Sequence, residues 1–102
     1  MADDKETERK LLVAEYYELK ERAEDAAKTR QALLDSLPFE VSLLNGDASV
    51  NADRVKAMLI HLEDADHSMR EMVARARSVA ALCGRPEITL KDLLSRFGKS
   101  AP

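Results

Sequence analysis

One cysteine, three prolines, three glycines, two tyrosines, two phenylalanines and no tryptophan are all that the 102 residues hold of those types. A lone Cys83 excludes an intramolecular disulfide and a cysteine-based zinc site. So few glycines and prolines cannot supply the frequent turns of a sandwich or barrel. No apolar run approaches the roughly eighteen residues of a membrane-spanning helix. The acidic opening Met1-Ala2-Asp3-Asp4 lacks the apolar stretch of a secretory leader. A reducing, cytoplasmic setting is therefore expected. At 11.4 kDa there is room for a single domain and a single core.

What is present is charge and aliphatic surface. Hydrophobic residues make up 45% and charged residues 34% of the chain, the balance of long helices with solvated faces. Net charge is −3, unevenly spread: residues 1–50 hold seven Lys/Arg against twelve Asp/Glu, and residues 51–102 hold nine against seven. The later cations Arg70, Arg75, Arg77, Arg85, Lys91, Arg96 and Lys99 could bind phosphate or an acidic partner surface, and the first six form the candidate DNA-binding set. The competing reading is that acidic and basic halves attract each other when their helices pack.

The periodicity predicts one long helix over 5–36. Leu12, Tyr16, Leu19, Ala23, Ala26, Arg30, Leu33 and Leu37 recur at alternating spacings of four and three, with Arg30 the one polar member. Leu11, Ala27 and Leu34 widen that stripe beyond a single contact. Pro38 is expected to end the helix, with a short helix over 38–45 and a loop from Gly46 to Asn51, where Asn51 caps the next helix. That second long helix is predicted over 52–83, its seam formed by Val55, Met58, Leu62, Ala65, Met69, Met72, Ala76, Val79 and Cys83. Gly84 and Pro86 end it. Thr89-Leu90-Lys91-Asp92 resembles a capping box and opens a last helix over 90–97, with Leu90, Leu93, Leu94 and Phe97 on its apolar face. Residues 98–102 are expected to be a flexible tail.

Chemistry-bearing groups are sparse. His61 and His67 bracket His-Leu-Glu-Asp-Ala-Asp-His, but six residues of helix turn the imidazoles about 120° apart, so no metal site is expected. Cys83 falls on the seam and reads as a small buried apolar residue; Arg85 nearby keeps a reactive thiol open as the alternative. Met58, Met69 and Met72 read first as core filling and second as an adaptable binding stripe. No phosphate loop, carboxylate pair or nucleophile elbow is present, and neither catalysis nor a cofactor is expected.

From Gly46 onward the pattern resembles the histone fold. The segments Gly46-Asp-Ala-Ser-Val-Asn-Ala-Asp53 and Gly84-Arg-Pro-Glu-Ile-Thr-Leu-Lys-Asp92 look like the loops before and after that family's central helix, with Pro38-Phe39 opening its first short helix. Over 38–97 the resemblance implies a short–long–short helical dimerisation module with Arg85 and Asp92 joined as a clamp. Ser49 and Pro86 stand where the family has basic residues that reach phosphates, which speaks against DNA wrapping. The central helix is also about one turn too long, and a long acidic helix precedes it. A second, fainter likeness is to the small helical antiactivators of the TraM family. It rests on the Leu37-Pro38 break between helical arms and an Ala/Met-rich second arm.

A single all-α domain is thus expected: two long antiparallel helices with two short ones beside them, forming a homodimer. The expected role is a non-enzymatic interaction module that docks a partner protein on the outer side of the first helix, at Tyr17, Arg30 and Leu34. Histone-fold-like DNA binding is the alternative.

Overall fold

The structure, a computed structural model, describes residues 2–45 and 48–98, which form helices and the turns that join them. Helix α1 spans Ala2–Ser42 and ends in a single 3-10 turn, Leu43–Asn45. Helix α2 spans Ala48–Cys83, and α3 spans Leu90–Phe97. The two long helices pack antiparallel as a hairpin, as their stripes predict.

Three expected boundaries move. Helix α1 does not stop at residue 36 but runs through Pro38, so the separate helix expected over 38–45 is its last turn followed by the 3-10 turn. Proline removes the hydrogen bond to the carbonyl four residues back. Pro38 and Leu34 both lie on the surface, so water can take the freed carbonyl there. Helix α2 starts inside the expected loop, and Asn51 is a helical residue, not a cap. Its side-chain amide donates to the Leu43 carbonyl at 2.7 Å, tying the 3-10 turn to α2. Residues 46–47 of that loop, Lys99 and the rest of the expected tail lie outside the described residues.

The other end follows the sequence closely. Gly84 closes α2 with φ +69°, the left-handed conformation glycine adopts without penalty, and the Arg85 amide donates to the Ala80 carbonyl at 3.1 Å. The Thr89 hydroxyl accepts the Asp92 amide at 3.1 Å and so caps α3.

The hairpin is long and thin. Its Cα extents are 69 × 27 × 13 Å with a radius of gyration of 18.4 Å, against about 13 Å for a compact chain of this size. The core lies at one end only. Tyr16, Leu19, Ala23 and Ala27 of α1 meet Met69, Val73, Ala76, Val79, Ala80 and Cys83 of α2, with Ile88 and Leu93 added by the returning segment. That segment is held down at both ends. The Tyr16 hydroxyl donates to the Pro86 carbonyl at 2.7 Å, and Arg96 of α3 reaches Glu24 of α1 at 3.7 Å while Lys28 lies over the Phe97 ring at 5.4 Å. Burial pushes the Tyr16 hydroxyl above its usual pKa, with the Tyr17 and Cys83 groups adding to the shift.

Candidate functional site

Away from α3 the same two stripes continue without a cover. Leu33 and Leu37 of α1 and Val55, Met58 and Leu62 of α2 are only half-buried, although each holds the seam position that its spacing predicts. Beside them Leu34, Val41 and Leu59 stand exposed, whereas the exposed Phe39 and Ile60, two residues from seam positions, lie about 200° round on the outer sides of their helices. Isolated exposed aliphatics are ordinary, but three large ones flanking a half-buried stripe make a patch of the kind that binds other proteins.

Polar groups fasten this uncovered half. Arg30, the polar break in the first stripe, reaches across the hairpin to Asp66 at 2.9 Å, and Arg70 holds the other carboxylate oxygen at 2.9 Å. Those two guanidiniums, Arg70 first, hold the Asp66 carboxyl below its usual pKa, against the opposing effect of partial burial. Nearer the turn, the buried Glu40 carboxylate is paired with Arg54 at 2.9 Å. Neither cross-hairpin pair is marked by local sequence, because the partners are 36 and 14 positions apart.

The face opposite α3 is open as well. A groove of about 680 Å3 runs along it, its floor made by Ala26, Leu33, Ala65 and Met72. Its two walls repeat each other 39 positions apart: Arg22 with His61, Asp25 with Asp64, Ala26 with Ala65, Thr29 with Ser68, Leu33 with Met72. At each step the chemical type is kept or nearly so. The repeat is visible in the sequence as Glu24-Asp25-Ala26 and Glu63-Asp64-Ala65. Scanning each helix for its own apolar stripe misses it, because the correspondence lies between the helices.

The sequence-derived candidates separate on this frame. Of the seam set, Tyr16, Leu19, Met69 and Val79 are buried, while Leu12, Leu33, Val55, Met58, Leu62 and Met72 are half-buried. The docking trio does not stay together. Leu34 belongs to the exposed patch, but Arg30 is occupied within the hairpin. Tyr17 lies at the far end, edge-on to Tyr16 with ring centroids 5.1 Å apart and under the Arg85 guanidinium at 5.6 Å. The clamp fails too. Arg85 goes to Tyr17 and Asp92 to Arg96 at 3.4 Å, and among the described residues no ion pair joins Arg85 to Asp92. With only one turn of α3 between its cap and Asp92, the nearer Arg96 four residues on takes the carboxylate.

The candidate DNA-binding cations are mostly spoken for. Arg70 faces Asp66, Arg75 faces Glu71 at 3.4 Å, Arg77 faces Glu87, and Arg96 faces Asp92 and Glu24. Lys91 is exposed at the start of α3. His67 sits 3.8 Å from Glu71 and His61 lines the groove. Among the described residues no three His, Cys, Asp or Glu side chains gather as a metal site would require, and no helix is long and apolar enough to cross a membrane. Compared with known protein families, curated proteins and solved structures, the chain matches none.

Proposed function

We propose that this chain is a non-enzymatic helical interaction module, a small dimeric regulator, adaptor or inhibitor that receives an amphipathic helix of a partner protein at the turn end of its hairpin. The observation that carries the reading is the half-buried stripe Leu37, Val55, Met58 and Leu62 with its exposed flank of Leu34, Val41 and Leu59. Two side-by-side helices present parallel ridges with a valley between, and a third helix fills such a valley with residues spaced three and four apart. Met58 in the valley can adapt its shape to the incoming side chains.

The DNA-binding alternative finds less support. Four of its six cations face carboxylates within the chain and a fifth lies on Tyr17, so a phosphate contact by any of those five would displace an existing interaction. An acidic chain also gains no long-range attraction to nucleic acid.

The test pairs a wild-type bait with a Leu59→Glu/Ile60→Glu bait in affinity capture from the source cells. Proteins retained by the first and lost by the second are expected, while neither bait shifts duplex DNA at moderate salt. Identical protein profiles from both baits, or a steeply salt-dependent DNA shift, would overturn the reading.

A further inference from the structure

We propose that a second copy of this chain stacks on the groove-bearing face, turn end beside turn end, so that α1 of each copy lies over α2 of the other in a four-helix bundle. This rests on reading the chain as an interaction module and names where its copies meet. It leaves the turn-end patch to the partner protein.

The face is a separate one from that used by α3. Glu24 and Lys28, which contact α3, lie on α1 about 160–200° round from Ala26 on the groove floor, at roughly 100° per residue. Over this face the molecule is one helix thick, which is what the 13 Å smallest extent and the 18.4 Å radius of gyration describe. A domain is ordinarily two layers around one core, and a second hairpin supplies the missing layer. From Leu11 to Leu33 the face runs about 33 Å at 1.5 Å per residue and is two helices, about 20 Å, wide, so it offers about 660 Å2 per copy, within the roughly 600–1,000 Å2 per partner of a standard interface. A single bound helix would cover only its midline.

The lining points to the same occupant. Antiparallel helices that carry one pattern are related by an approximate two-fold axis normal to the face, so a half-turn brings Ala26 and Thr29 onto Ala65 and Ser68. A face of that kind is matched by another of the same kind, and the small residues at its centre allow two helical layers to approach closely.

Charge sets the direction of stacking. The pairs Arg30–Asp66 and Glu40–Arg54 fix which residues lie level across the hairpin, and by that register Glu18–Arg22 on α1 is level with Arg75–Glu71 on α2. With turn ends together, Glu18 meets the partner's Arg75 and Arg22 meets the partner's Glu71, twice over by symmetry. Leu11 and Leu82, the most exposed large aliphatics on the two long helices, come level in the same way, so that Leu11 rests near the partner's Leu82. The end-for-end arrangement would instead bring Glu71 level with the partner's Asp64, like charge on like.

Sedimentation equilibrium of the full chain decides the matter. A mass of twice 11.4 kDa is expected for the wild type. Reversing one pair, Glu18→Arg with Arg22→Glu, is expected to weaken the dimer by about tenfold, and adding Glu71→Arg with Arg75→Glu is expected to restore it. All four side chains are at least two-fifths exposed and each reversed pair can still form within its own helix, so helicity by circular dichroism is expected to hold. A monomeric wild type overturns the proposal, as does a dimer indifferent to the reversal or one that the combined variant fails to rescue. Leu59→Glu/Ile60→Glu is expected to leave the mass unchanged, which keeps failure of this interface distinct from failure of partner docking.

Discussion

The two halves of the hairpin are built from the same helices and the same apolar repeat, yet they differ in burial. Met69, four positions before Val73 in the covered half, is fully buried, whereas Leu62, one heptad earlier on the same seam, is half-buried. The difference is the segment from Arg85 to Phe97. It folds back along α1, adds Ile88 and Leu93 to the core, and is fastened by the Tyr16 hydroxyl. A stripe of helical period marks what can be buried; a third element settles how much of it is. Stability should therefore concentrate at the covered end, and recognition at the other, where exposed aliphatics cost little to leave in place and gain contact energy when a partner arrives.

That contrast can be broken or sharpened by mutation. Met69→Ala and Leu93→Ala, each removing a fully buried side chain, are expected to cost about 2–4 kcal/mol in urea unfolding, against about 1 kcal/mol for Leu62→Ala in the uncovered half. Equal losses would erase the distinction between the halves. Tyr16→Phe is expected to cost about 1 kcal/mol and to speed hydrogen exchange in α3 more than in the turn-end helices, because the Pro86 carbonyl loses its donor. Gly84→Ala should cost about 1 kcal/mol by the same measurement; its Cβ would meet open space, so the loss would come from the positive φ alone.

The uncovered half has its own pH signature. Asp66 is held below its ordinary pKa by Arg70 and Arg30, so its contribution is complete above the unfolded value of about 3.9 and is lost as pH falls through the lower folded value. Asp66→Asn is expected to lose under about 1 kcal/mol at neutral pH, given that the site is partly open to water, and to flatten the stability profile in the acid range. Smallest of all, Leu59→Glu/Ile60→Glu is expected to move the unfolding midpoint by no more than about 0.5 kcal/mol, since neither side chain is buried.

Much of this architecture can be read from residue spacing. The two stripes, the stop at Gly84, the Thr89 cap and the bounds of α3 are local patterns, and each is where its spacing puts it. Pro38 misleads because proline ends a helix only when nothing offsets the lost bond, and here the helix continues for one more turn at the surface. Arg30 looks like a flaw in the first stripe until Asp66 is brought opposite it. Arg85 and Asp92 have the spacing of a clamp, but Tyr17 and Arg96 lie closer. Of the candidate surface, Leu34 and Leu59 are legible as apolar positions beside their own stripes; that both stay uncovered is not, because it depends on where α3 comes to rest.

Helical character and the identity of the apolar face come from the sequence alone, since each depends on residues within a turn or two of one another. Which half of that face is covered, which charges are already satisfied and which side is left as a symmetric groove were decided by the tertiary structure. Those outcomes depend on where thirteen returning residues come to rest and on contacts between positions as far apart as Tyr16 and Pro86, a separation across which helical periodicity carries no information.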